Sequence, residues 1–294
     1  MITALLIFGL FLLVLINVPI AVALGTIALI GMIVSKGFDS VYNAALTMFD
    51  GATNFPLLAI PLFILAGALM NTTSISRRLI NLTSALIGFV RGGLAMVNVG
   101  VSMFFAEISG SAVADVAAIG SVLIPAMKNR NYSPELSAAV TSSSASIAII
   151  IPPSIAMIIY GALSDTSIVQ LFVAGIIPGV LGGFSMMALC YWYAIRFDLP
   201  RESAFSLRKL WVAFKEAGWA LTLPIIILGG IFGGIVTATE GAGLAVVAAL
   251  IIGGFIYREI NWTHLRKAMI EGVTQTAVVM LLVATSAVLG LYLT

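Results

Sequence analysis

Residues 92–127 read GGLAMVNVGVSMFFAEISGSAVADVAAIGSVLIPAM, with Arg91 before them and Lys128 and Arg130 after. The polar residues of this stretch gather at its middle: Glu107, Ser109, Gly110, Ser111 and Asp115. A helix needs about 20 residues to cross a bilayer's hydrocarbon, so 36 residues are generous for one crossing and short for two with a turn. Each limb flanking the polar centre is about 15 residues long, below the length of a span. Basic residues favour the cytoplasmic side of a membrane, and here they stand at both ends. A re-entrant helical hairpin, its tip Ile108-Ser109-Gly110-Ser111-Ala112 held inside the membrane, satisfies all three observations. A plain pair of spanning helices is the alternative.

The composition of the whole chain sets that hairpin in a membrane. Of 294 residues, 61% are hydrophobic and 9% charged, against roughly 25% charged in a soluble domain. The apolar residues form long blocks rather than alternating, which reads as an all-α, polytopic membrane protein. A net charge of +2 gives no reason to expect nucleic acid. The single cysteine, Cys190, lies among apolar neighbours, so neither a disulfide framework nor a cysteine metal cluster is expected. The single histidine, His264, falls in a charged connection. Residues 2–16 have the apolar core of a signal peptide but no basic residues before them and no cleavage pattern after, so the N-terminus is expected to belong to the mature chain.

Outward from the hairpin, residues 135–163 form a second unusual segment. Thr141-Ser142-Ser143-Ser144-Ala145-Ser146 is followed by Ile151-Pro152-Pro153-Ser154. Adjacent prolines remove two backbone donors and disfavour helical geometry in the residues before them, so a discontinuous helix is expected. Residues 168–195 return to the cytoplasm. From 196 to 219 the residues Arg208, Lys209, Lys215, Trp211 and Trp219 suggest an amphipathic helix lying at the interface.

The remaining blocks repeat an order. Apolar pieces 2–16 and 18–34, separated at Asn17-Val18-Pro19, form either one long tilted helix or two short ones. They precede a polar connection over 35–55 and an apolar helix over 56–71. Arg77, Arg78 and Arg91 beyond it read as topological anchors. Blocks 220–236 and 240–257 likewise precede a charged connection and then a helix over 273–293. Counted by the positive-inside bias, helix 56–71 runs inward and 273–293 outward, an inverted-topology repeat as in many secondary transporters. The expected organisation is a first repeat over 1–195, an amphipathic connection over 196–219 and the start of a second repeat over 220–294. The sequence stops at Thr294, where the second hairpin should begin, and truncation is the expected reason.

A helix broken within a membrane exposes backbone groups that need partners, and transporters use such groups to bind ions and anionic substrates. Both the hairpin tip and the serine-rich segment supply hydroxyls and carbonyls, the hard oxygens that sodium prefers. Ser109, Gly110, Ser111, Ser143, Ser144 and Ser146 are therefore the sodium-site candidates. The competing reading is that small residues and serines only permit close helix packing. Intramembrane carboxylates are costly and usually functional. Glu107 and Asp115 are candidates for substrate binding or coupling, with Pro152 and Pro153 beside them at the break. Against that stands a structural role for each carboxylate, Asp115 capping the second limb among them. Glu240 reads as a helix-start residue.

Phe105-Ala106-Glu107-Ile108-Ser109-Gly110-Ser111-Ala112-Val113-Ala114-Asp115, then Ser142-Ser143-Ser144-Ala145-Ser146 and Ile151-Pro152-Pro153-Ser154, resemble the large membrane subunit of TRAP transporters, which belong to the ion transporter superfamily. So do residues Pro56 to Gly67 and Gly234-Ile235-Val236-Thr237-Ala238-Thr239-Glu240. The resemblance implies a permease subunit in the bacterial inner membrane, driven by sodium and importing a carboxylated solute such as a C4-dicarboxylate or a sialic acid. It implies two partners, a small four-helix membrane subunit and a periplasmic substrate-binding protein, and an elevator-like movement. No cofactor beyond the coupling ion is implied. The tip and the serine segment would form one sodium site with substrate nearby; a second site would need a second hairpin that this sequence does not contain.

Enzymatic readings find little support. The histidine lies outside the apolar blocks, no Gly-x-Ser-x-Gly elbow occurs, and no phosphate-binding glycine loop with lysine is present. A channel or passive scaffold is the remaining alternative.

Overall fold

The computed structural model describes residues 2–201 and 205–293, with the side chains of residues 2–5 and 107–109 left outside the description. Among the described residues the chain is helical almost throughout, and its one β-type contact is an isolated bridge between Arg91 and Arg201. Among the described residues, five helices are long and apolar enough to cross a membrane, and a sixth span results if Ser40–Ala52 and Phe55–Asn71 are counted together. This is a multi-pass membrane protein.

The chain divides into two compact units, residues 1–58 with 273–294 and residues 59–272. In the first, α1 (Ile2–Leu15) and α2 (Ile20–Lys36) are separate helices. Asn17 adopts a positive φ of 66° between them and Pro19 precedes α2, which settles the choice in favour of two short helices. The polar connection expected over 35–55 is instead mostly a helix, α3 (Ser40–Ala52). Its apolar residues Val41, Ala44, Ala45 and Met48 recur at helical spacing, while Lys36, Asp39 and Asp50 fall outside it or at its end. Ala44 packs with Ala28, Met32 and Val288 in the core of this unit.

The first unit's leading segment ends in a 3₁₀ turn, Phe55–Leu58, and the second unit opens with α4 (Ala59–Asn71). Next comes α5 (Ile75–Ile87), a helix that the basic pair Arg77-Arg78 hid by reading as a mere anchor. The hairpin follows as α6 (Gly93–Ser109) and α7 (Ala112–Asn129). Its limbs have 17 and 18 residues, longer than expected, because the polar centre is absorbed into the helices and only Gly110 and Ser111 remain between them. At 1.5 Å per residue α7 is about 27 Å long, and it is one of the five helices that qualify as spans.

After the hairpin come α8 (Pro134–Ala145), a 3₁₀ turn (Ser146–Ile149), α9 (Ile155–Leu163) and α10 (Ile168–Arg196). The interface helix and the apolar block expected to follow it are a single helix, α11 (Leu207–Phe232). Charges stop at Glu216 and the helix carries on through Pro224, so no boundary falls at 219. Then follow α12 (Ala238–Leu250), which a π-helical turn (Ile251–Ile256) extends, and α13 (Trp262–Leu293). Glu240 is the helix-start residue expected of it: Thr237 and Glu240 form a capping box on α12. The core of this unit joins Leu69, Leu79, Val101, Phe105, Leu123 and Leu223, drawn from α4, α5, α6, α7 and α11.

One polar clasp ties the start of α5 to the connection before α13. The Glu259 carboxylate accepts from the Ser74 backbone N–H and the Ser74 hydroxyl, both at 2.6 Å. Arg78 pairs with Glu259 at 3.5 Å, donates to Ser74 Oγ at 2.9 Å and lies 4.1 Å over the Tyr257 ring. An acidic group therefore sits where the amide groups of α5 point outward, which its helix dipole favours.

Candidate functional site

The hairpin turns at Gly110, which takes a left-handed conformation (φ 56°, ψ 12°) and donates its N–H to Ala106 O. Only glycine adopts that conformation at no steric cost. Ser111 then caps α7 by accepting from the Ala114 N–H. Asp115, expected as a possible cap, instead lies in the first turn of α7 and is buried. The cap falls to Ser111 because it is the extended residue immediately before Ala112.

The interruption in the next segment lies later than the serines. The backbone is α-helical through Ala145 and 3₁₀ through Ile149, and loses helical form only from Ile150 to Ser154. The physical cause is the proline pair, since Ser142 to Ser146 keep their backbone donors. Ser154 then closes the gap. Its hydroxyl donates to Ile149 O at 2.7 Å and accepts from the Met157 N–H at 3.4 Å, capping α9.

These two irregular points meet. A Cβ on Gly110 would lie 2.8 Å from Pro153 O and 3.3 Å from the Ile155 backbone nitrogen. The starts of α7 and α9 therefore converge at the tip, and both carry outward-pointing amides and a partial positive charge. The end of α6 arrives at the same place, bringing carbonyls. Such a junction offers amides to an anion and oxygens to a cation within one short stretch.

The candidates named from the sequence do not all fall there. Gly110 and Ser111 form the tip, and Pro153 faces it. Glu107 and Ser109 lie on the last turn of α6, but their side chains fall outside the described residues. Ser143 and Ser146 are exposed, with Ser146 Oγ donating to Ser143 O at 2.6 Å. Ser144 points the other way and is fully buried. Its hydroxyl accepts from Ser102 Oγ at 2.8 Å and reaches Thr141 O at 3.2 Å. Adjacent helical residues are about 100° apart, so Ser143 and Ser144 cannot share one face. Ser144 thus lies between α6 and α8, bonded to Ser102. Pro152 is buried and borders an apolar groove.

Two features escaped the reading of the sequence. One is a buried polar ladder between α6 and α8, in which Asn98 Nδ2 donates to Thr141 Oγ1 at 2.7 Å beside the Ser102–Ser144 pair. Its signal is helical spacing: Asn98 and Ser102 at i, i+4, and Thr141 and Ser144 at i, i+3. The other is a stripe on α10. Gly175, Gly179 and Gly183 are so close to Ile150 O, Ile151 and Met103 respectively that a Cβ would collide. Spaced four residues apart, they form the small-xxx-small pattern that lets helices approach, and they seat the break against α10.

A sequence model of the family described as "Tripartite ATP-independent periplasmic transporter, DctM component" matches residues 7–294. The chain belongs to the DctM family. The 2,3-diketo-L-gulonate TRAP transporter large permease protein of Escherichia coli (strain K12) is 42% identical over 273 residues, covering 93% of this chain and 64% of that one. The isethionate TRAP transporter permease protein of Oleidesulfovibrio alaskensis is 42% identical over 284 residues, 96% of this chain and 44% of its own length. The C4-dicarboxylate TRAP transporter large permease protein of Pseudomonas aeruginosa is 39% identical over 248 residues, 84% of this chain and 58% of its own length. This DctM chain thus spans between 44% and 64% of the length of these curated relatives. The family is one of transporter permeases.

Proposed function

We propose that this DctM chain is the membrane-translocating part of a sodium-coupled TRAP-type secondary transporter in the bacterial inner membrane. It imports a small carboxylated solute of the C4-dicarboxylate or sialic acid class, delivered by a periplasmic binding protein, and works beside a small four-helix membrane subunit. The relatives' names support an organic anion as cargo: 2,3-diketo-L-gulonate, isethionate and C4-dicarboxylate, and sialic acid in a permease of Haemophilus influenzae that is 40% identical.

The observation that carries the mechanism is the seating of Gly110 on Pro153 and Ile155. In this reading the N–H groups at the starts of α7 and α9 receive the solute's carboxylate. Carbonyls and hydroxyls of the tip and of the turn at Ser143 and Ser146 hold sodium. Each ligand supports the other electrostatically, so the site is full only when both are bound. An elevator-type movement then carries the loaded junction across the membrane, and an inverted second repeat supplies the framework and a second sodium site.

The test is uptake by the full-length protein, reconstituted with its partner subunits in sealed vesicles. The expected result is accumulation of a labelled organic anion above the outside concentration, only with an inward sodium gradient and the loaded binding protein. Uptake that stops at equal concentrations, or that ignores sodium, would falsify the proposal and favour a channel or passive scaffold.

A further inference from the structure

Two adjoining apolar grooves run beneath α5 in the second unit. One, of about 610 Å³, is lined by Leu82 and Leu86 of α5, Phe104 of α6, and Leu210, Trp211 and Phe214 of α11. The other, of about 330 Å³, continues from Leu86 and Phe104 to Ile151 and Pro152 at the break and to Val180 of α10. Both fall in the range of about 300–1,000 Å³ typical of ligand sites. Apart from Thr83, the side chains that line them are apolar, so water is a poor occupant and a hydrocarbon chain a good one.

A basic stripe on α11 runs beside the first groove and meets it at Trp211. Along α11, Arg208, Trp211, Lys215 and Trp219 recur at i, i+3, i+7 and i+11 and form one exposed stripe. Trp211 belongs to both stripe and groove, and the Lys215 ammonium lies 5.2 Å from its ring. Tryptophan beside lysine or arginine is the composition of a membrane's headgroup layer. No charge follows Glu216 in α11, so the stripe marks where that helix leaves the headgroups for the hydrocarbon.

We propose that this groove binds an anionic glycerophospholipid. Its phosphate rests on Arg208 and Lys215, and one acyl chain lies past Leu86 and Phe104 to end against Ile151 and Pro152. A membrane protein is bathed in this ligand, and the cation stripe complements its headgroup while the groove complements its tail. The lipid would thereby touch the interruption that shapes the hairpin junction. The binding claim does not depend on what the protein transports.

The full-length protein with its partner subunits is reconstituted in phosphatidylethanolamine vesicles containing a phosphatidylglycerol probe with a photoreactive acyl chain. Labelling is expected to concentrate on peptides holding Phe104 and Val180, above that on Leu189 and Ile225, which are exposed apolar residues off the groove. R208Q/K215Q alters only exposed side chains and is expected to reduce phosphatidylglycerol labelling by about fivefold for each cation removed. A phosphatidylcholine probe should be little affected by the same change. Three results would overturn the proposal: labelling no denser in the groove than at Ile225, equal response of both probes to R208Q/K215Q, or groove labelling seen with the permease alone and lost in the complete complex.

Discussion

The α-carbon of Gly110 faces the carbonyl oxygen of Pro153 so closely that a methyl group there would lie 2.8 Å away. Two segments that each abandon regular helix are thus held against one another with no room for a side chain. Gly110→Ala combines that collision with the cost of a left-handed residue, and should destabilise the protein by about 1–3 kcal/mol. Gly182→Ala is the control, since nothing lies within 4 Å of its added carbon. Unfolding midpoints in detergent that fall equally, or not at all, would show that the tip is not seated on the break.

Ser144 and Ser143 should separate by phenotype. Removing the buried Ser144 hydroxyl leaves Ser102 short of a partner, so Ser144→Ala is expected to cost about 1–3 kcal/mol. Asn98→Ala should behave alike, since it breaks the bond to Thr141. Ser143→Ala, on an exposed face, should change stability by less than about 0.5 kcal/mol yet weaken sodium activation of transport. Matching stability losses in both serine variants would refute this division.

The Glu259 clasp gives a pH dependence whose sign follows from its surroundings. Partial burial alone pushes the carboxyl up, but the Ser74 hydroxyl and N–H and the Arg78 cation together outweigh it, leaving Glu259 below its ordinary value of 4.5. A depressed carboxylate stabilises the fold above its unfolded pKa, and that contribution disappears as pH falls through the folded value. Glu259→Gln should therefore unfold at a lower temperature than the natural chain at pH 7, and the gap should narrow as the pH falls below the ordinary carboxyl value of 4.5. A gap that is constant between about pH 7 and pH 3.5 would show that charge plays no part in the clasp.

Bulk on the α10 stripe should disturb the break from behind. Gly175→Ala and Gly179→Ala each place a methyl group against Ile150 or Ile151, and overpacking of this kind costs about 1–3 kcal/mol. Solute uptake should fall with stability in both. Normal uptake and normal melting in both variants would mean that α10 does not position residues 150 to 154.

Much of the architecture could be read from charge alone. Arg91 and Lys128 framed the hairpin, and the Pro152-Pro153 pair located the break to within a few residues. Helix α3 was hidden because one buried alanine face suffices for a short helix, and its serine, asparagine and threonine made it look like a loop. Helix α5 was hidden by Arg77 and Arg78, which suit a membrane boundary and a helix equally. For the site, residue type said that serines mattered without saying which way each one faced. Phase was available: neighbours in a helix diverge by about 100°, so the side chains of Ser143 and Ser144 face different ways. What no single sequence discloses is the pairing of Gly110 with Pro153, which depends on a tertiary approach between residues 43 positions apart.

The ladder from Asn98 and Ser102 to Thr141 and Ser144 has a mechanical consequence. Sliding the first limb of the hairpin past the helix before the break would sever the buried Asn98–Thr141 and Ser102–Ser144 bonds at once, in surroundings that offer no water to replace them. The limb and that helix are therefore freight on one platform. Whatever displaces the tip must take the serine turn with it, and flexibility has to be sought at the edges of the platform rather than through its middle.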